Sequence, residues 1–234
     1  YATNSGDVAV KPTGIYFAGP ELRYQAYSSN IANNFIHSMF TSSTSTTAAL
    51  IGIQLYEGYT LTNYIVQRNV FNNIISLGTG VGNDCNIFGI YLSGVNAPRK
   101  NNFHFNTVYL GGTANGTANT MALNLSASQN DYTATDNVFV NARSSSSGKH
   151  YATYFANTSG TRTVNYNNYY VSGTGGTLGY YSAADVTSLP IVAGQDVNSM
   201  ALDPQFVSAG GTTAQDYKLG NNSLSGAGVT VSGI

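Results

Sequence analysis

Charge is what this 234-residue chain has least of. Asp, Glu, Lys and Arg make up 8% of it, against about 25% in an ordinary globular protein. Nine basic and ten acidic residues leave a net charge of -1. Such a chain has no basic stripe to neutralise phosphates or grip an anionic surface, which excludes nucleic acid and membrane surfaces as partners. Cysteine is as scarce. Cys85 stands alone, ruling out an intramolecular disulfide and a zinc site of several thiolates, and it reads as a small buried apolar residue. Tryptophan is absent, and no apolar run approaches the ~20 residues of a membrane-spanning helix, so no membrane insertion is expected. No basic-apolar leader precedes Tyr1. The chain opens and stops in mid-pattern, as expected for a segment of a longer protein.

What is present is apolar and uncharged-polar. Hydrophobic residues are 42% of the chain, enough for one sizeable core, and one domain over 1–234 is expected. The surface must be built from Asn, Ser, Thr, Gly and Tyr, a coat common on exported proteins. An extracellular or cell-surface location is therefore expected. Asn115, Asn124, Asn157 and Asn221 head formal glycosylation sequons, which an Asn- and Ser/Thr-rich chain produces by chance.

The chain also repeats. Asn34, Asn69, Asn102, Asn137 and Asn168 recur at steps of 35, 33, 35 and 31, each followed by an apolar or aromatic residue. A second column comprises GIYF from Gly14, GIQL from Gly52, GIYL from Gly89, ALNL from Ala122 and ATYF from Ala152. Its steps are 38, 37, 33 and 30. Two columns drifting together describe one structural unit repeated at least five times, with length differences absorbed in Ser/Thr/Gly-rich connections. Within the unit the apolar period is 2: Ile15 and Phe17, Ile53 and Leu55, Ile90 and Leu92. That is a half-buried strand. Helical signals are nearly absent. Short strands in a unit of 31 to 38 residues suit one turn of a parallel β-helix. A β-propeller blade needs tight hairpins, and the one Asn-Gly step, Asn115-Gly116, does not supply them. The expected fold is all-β, a single-stranded parallel β-helix of six to seven turns. Repeats fill about 12–182 and closing turns 183–234.

Stacked turns place each column in a row of touching side chains ~4.8 Å apart. The column Asn34, Asn69, Asn102, Asn137 and Asn168 is then expected to form an asparagine ladder at a corner. Asparagine also tolerates the left-handed backbone that corners require.

The ending Asp203-Pro204-Gln205-Phe206, then Asp216-Tyr217-Lys218-Leu219, then Ser223 and Gly226-Ala227-Gly228, resembles the closing segment of pectate-lyase-like parallel β-helix proteins. There a DPxF turn precedes a D-[YF]-x-L strand and a Ser-Pro…Gly-x-Gly finish; this chain lacks the proline after Ser223. The resemblance implies a right-handed solenoid like those of secreted Bacteroidetes-type surface proteins. It implies no one activity, because the family spans lyases, glycosidases, epimerases, tailspikes and non-enzymatic surface proteins.

Function has to come from a site. An enzyme of this fold draws on the column just before the ladder: Asn33, Arg68, Asn101, Asp136, Asn167. Arg68, Lys100, His104 and Asp136 are its best catalytic cluster, with Asp131 as a second carboxylate. Calcium would be a cofactor only for such a lyase; otherwise no cofactor or metal is expected. A hydrolase pair could come from Glu21, Glu57 and Asp84 in early loops. The bland reading of all these residues, solvated polar corners, outweighs the catalytic one.

Tyrosine, with 18 copies, carries a better signal. Tyr16, Gln54, Tyr91, Asn124 and Tyr154 fall at the outward position of the first strand column. Rings apolar in the body and polar at the tip, beside amides, suit sugar stacking. Plain surface tyrosine, a favoured strand residue, is the competing account. The expected role is a non-catalytic extracellular or cell-surface module for adhesion, polysaccharide contact or assembly. Its partners would be a glycan, other copies of itself or neighbouring surface-protein domains. The alternatives are a polysaccharide lyase or glycoside hydrolase, and a protomer of an extracellular fibre.

Overall fold

A computed structural model describes residues 10–18, 27–41, 43, 45, 47–57, 66–78, 85–94, 99–127 and 131–234. The chain winds as a parallel β-solenoid with three main sheets and a two-stranded one that pairs Thr113–Ala114 with Ser144–Ser145. The first sheet stacks Thr13–Phe17, Ala49–Glu57, Asn86–Gly94, Thr120–Leu125, His150–Phe155 and Gly176–Tyr181, all parallel. The second stacks Tyr27–Ala32, Val66–Phe71, Arg99–His104, Asp131–Thr135 and Arg162–Asn165. The third stacks Phe35–Ile36, Ile74–Leu77, Thr107–Leu110, Val138–Asn141 and Asn168–Val171. The second and third sheets each hold five strands, so six to seven turns is too many.

The inside is packed by period-2 alternation. Ile53, Leu55, Ile90, Leu92, Leu123 and Leu125 of the first sheet meet Val70, Phe103 and Ala134 of the second. Ile75, Val108 and Phe139 of the third complete the core. At about 1.5–3 kcal/mol per fully buried large apolar side chain, this interior is the main term holding the coils together. Close approach between the first and third sheets requires Gly89. A Cβ there would lie 2.3 Å from Val108 Cγ1 and 2.5 Å from the Ala122 carbonyl oxygen.

One corner is the same in every coil. Two residues, Asn33-Asn34, Asn72-Asn73, Phe105-Asn106, Asp136-Asn137 or Tyr166-Asn167, join the second sheet to the third. The first of each pair is left-handed, with φ of 59°, 53°, 54°, 59° and 57°. The second carries the ladder. Asn34 Nδ2 donates to Asn73 Oδ1, Asn73 to Asn106, Asn106 to Asn137 and Asn137 to Asn167, each at 2.9 Å. The Ser199 hydroxyl accepts from the Asn167 backbone N–H and ends the row.

The expected ladder therefore needs correction. Asn34 and Asn137 belong to it; Asn69, Asn102 and Asn168 do not. Asn69 and Asn102 align with Asn30 on second-sheet strands and make a separate short row of side-chain amides. Asn168 lies in a third-sheet strand opposite Val138, where its side chain bonds the Leu202 backbone. An Asn in the strand and an Asn at the corner four residues later, as in Asn69 and Asn73, are easily mistaken for one another.

The end of the solenoid is closed by the chain itself. Ala184–Val186 turns back antiparallel on the last strand of the first sheet. Gln195 takes the place of a strand beside the second: its Oε1 accepts from Val164 N–H and its Nε2 donates to Arg162 O. Met200 bridges to Asn168 beside the third. Closing turns are expected over 183–234; from 203 onward the chain forms no further strand. It runs back along the outside of the third sheet as a strap, where Tyr217 packs on Tyr109 and Phe35 and Phe206 on Tyr109. Val229 N–H then donates to Asp136 Oδ1 at 2.8 Å.

Candidate functional site

The outer face of the first sheet carries an ordered array of aromatics, of which Tyr16 is exposed, Phe88, Tyr91, Tyr154 and Tyr180 are half-buried and Tyr151 is buried. Backbone register aligns Tyr16 with Gln54, Gln54 with Tyr91, Tyr91 with Asn124, Asn124 with Tyr154 and Tyr154 with Tyr180. The five residues picked from sequence thus form one row, and Tyr180 extends it. Tyr180 was missed because TLGYY lacks the alternating pattern of its predecessors. The next row on the same face contributes Phe88 and Tyr151. Phe88 and Tyr91 have ring centroids 4.7 Å apart, and Tyr154 and Tyr180 stack at 4.3 Å with planes 9° apart. Tyr151 stands edge-on to Tyr154. Its hydroxyl donates to Asp185 Oδ1, while Lys149 pairs with the other oxygen of Asp185. Burial and the Asp185 carboxylate raise the Tyr151 pKa, so the phenol stays protonated and keeps that bond at neutral pH. The face is thus an uncharged aromatic platform with one ion pair at its edge.

The amides in the row do different jobs. Gln54 donates to the Ser93 hydroxyl at 3.0 Å and is half-buried. Asn124 is 4% exposed and its Nδ2 points at Met121 Sδ. Its expected role as a ligand contact needs correction: it lies beneath the surface that Tyr91 and Tyr154 present. Tyr16, 56% exposed, is the most accessible of the four rings in the row.

The catalytic cluster expected from sequence does not form. Arg68 shares strand parity with Val70 and so points into the solenoid, 1% exposed, where its Nε donates to Asn101 Oδ1. Lys100 lies on the outer face, level with Asp131. His104 is buried on that outer side, Nδ1 against the Thr135 hydroxyl, and burial lowers its pKa. Asp136 sits at a left-handed corner under the strap. The four residues occupy the interior, an open face, a buried row and a corner, and share no cleft among the described residues. Glu21 and Asp84 lie outside the described residues, as does the side chain of Glu57. Among the described residues no three His, Cys, Asp or Glu side chains gather as metal ligands would.

One arrangement does look catalytic. His150 Nε2 lies 2.8 Å from Ser145 Oγ, and its Nδ1 2.8 Å from Thr120 Oγ1. Ser145 and His150 are 5% and 0% exposed, and the partner behind the imidazole is a hydroxyl in place of a carboxylate. Asn141 donates to Thr120 O and Oγ1 and to Tyr151 O beside it. Arg143, fully buried, reaches back across two coils to Gly111 O and Gly78 O. Together they form a polar seam that satisfies corner carbonyls. Burial and the nearby Arg143 charge push the His150 pKa down to about 4, so it is neutral at pH 7.

No protein-family model, curated protein or solved structure matches the chain. The chain is an all-β parallel solenoid with a buried seam of asparagine, threonine and serine.

Proposed function

We propose that this chain is a non-catalytic, extracellular or cell-surface module that holds a polysaccharide against the first sheet. The carrying observation is the single outward row Tyr16, Gln54, Tyr91, Asn124, Tyr154 and Tyr180, supported by backbone register on a rigid scaffold. Tyr16, Tyr91 and Tyr154 stand in alternate coils, at about twice the 4.8 Å strand spacing, and Tyr180 follows Tyr154 in the next coil, a track for a regular polymer. Their apolar faces suit sugar rings and their hydroxyls suit sugar hydroxyls. The third sheet offers no such face, because the strap already lies on Phe35 and Tyr109. An uncharged platform favours neutral or weakly charged glycans. The closing elements Ala184–Val186, Gln195 and Met200 weigh against end-to-end growth into a fibre at that end. The likeness of the closing motifs to secreted, right-handed pectate-lyase-like proteins supports export.

The test is affinity electrophoresis through gels holding single polysaccharides, neutral and uronate, with calcium present. Retardation of the native chain by at least one polymer, lost in Tyr91→Ala and Tyr154→Ala, supports the platform. Retardation that survives both substitutions, or shortening of the polymer, overturns it.

A further inference from the structure

A cavity of about 170 Å³ lies between the strap and the corner that joins the second and third sheets. Its walls are three consecutive left-handed corner residues, Phe105, Asp136 and Tyr166, roofed by Met200, Leu219 and Leu224. Register places His104 beside Thr135 and Thr135 beside Asn165, so the residues that follow them stack in the order Phe105, Asp136, Tyr166. The two aromatic residues therefore flank the carboxylate, about 10 Å apart at two strand spacings. Asp136 Oδ1 accepts from Val229 N–H. Its Oδ2 is buried and has no partner in hydrogen-bond geometry among the described residues, although the adjacent Thr135 hydroxyl also favours the charged carboxylate. No ion pair among the described residues involves Asp136.

We infer that this cavity is a site for a small organic cation of the alkylammonium type. A half-buried carboxylate without a counter-charge attracts a cation, and the aromatic rings of Phe105 and Tyr166 in the same wall can add a cation–π contribution. Met200, Leu219 and Leu224 match the alkyl body such a cation carries. A bare divalent metal fits poorly, since it needs several oxygen ligands and only one carboxylate is present. The volume is well below the ~300 Å³ at which drug-sized ligand sites begin, so only a head group enters. Burial raises the pKa of Asp136 against the Val229 N–H and Thr135 hydroxyl bonds, and a bound cation would oppose that rise. This site is independent of the tyrosine platform.

The probe is choline, compared with its uncharged tert-butyl analogue, followed by NMR of the aromatic side chains. Choline is expected to shift the Tyr166 and Phe105 ring resonances saturably, and the analogue to bind at least tenfold more weakly. Asp136→Asn keeps a left-handed-tolerant residue and an acceptor for Val229 while removing the charge, so it should fold and lose choline at least tenfold. Tyr166→Leu should weaken binding severalfold. Equal binding of choline and analogue, undiminished binding to Asp136→Asn, or no saturable shift overturns the site.

Discussion

Asn106 donates from Nδ2 to Asn137 Oδ1 at 2.9 Å and to the Val70 carbonyl at 2.8 Å. Its own Oδ1 accepts from the Asn73 backbone and side chain. One buried amide thus ties three successive coils together. Removing it strands partners on both sides, each at about 1–3 kcal/mol. Asn106→Ala is expected to destabilise the fold by about 3 kcal/mol or more, whereas Asn69→Ala in the outer row should cost under about 1 kcal/mol. Chemical denaturation of the two variants decides which asparagines form the structural ladder; equal effects would contradict this assignment.

His150 makes stability depend on pH. A histidine with a folded pKa near 4 and an unfolded one near 6.5 binds fewer protons when folded. Stability from this group is full above pH 6.5 and falls as pH drops toward 4, by on the order of 2 kcal/mol. Denaturation midpoints at pH 7 and pH 4.5 should differ for the native chain, and less so for His150→Gln.

Gly89 is a position that only glycine fills without strain on its neighbours. In Gly89→Ala the new methyl meets Ala122 O and Val108, and a backbone carbonyl in a paired strand cannot yield. A loss of about 1–3 kcal/mol, typical of overpacking, should appear in thermal unfolding. Gly194→Ala, with open space around its Cβ, gives a control for crowding, although its φ of 77° adds backbone strain of its own.

Gln195 protects a sheet edge. Gln195→Ala would leave Val164 N–H and Arg162 O without their side-chain partners. Concentration-dependent self-association in sedimentation velocity is the expected result, since bare edges recruit strands. A strictly monomeric variant would mean that the neighbouring turns alone close that edge.

The first sheet was legible in sequence because GIYF, GIQL, GIYL, ALNL and ATYF carry strong alternation, so both the inward pairs and the outward row followed. The ladder was half legible. Asparagines occur in strands and corners alike, and the corner ones share no flanking signature beyond a preceding left-handed residue, which is Asn, Phe, Asp or Tyr in different coils. Strand parity with Val70 already placed Arg68 inside, but a charged residue is expected outside by default. The strap was not legible at all. Its contact between Val229 and Asp136 joins residues 93 positions apart, and no local pattern encodes that distance.

The strap also acts as a length standard. It touches the solenoid at Phe35, at Tyr109 and at Asp136, three fixed heights along the axis. One more coil inserted between Phe35 and Tyr109 would keep every column in register yet move those anchors about 5 Å further apart. The interior tolerates such duplication; the strap, of constant reach, does not. Among descendants of this sequence, the number of coils spanned by the strap should therefore change only together with the length of residues 203–234.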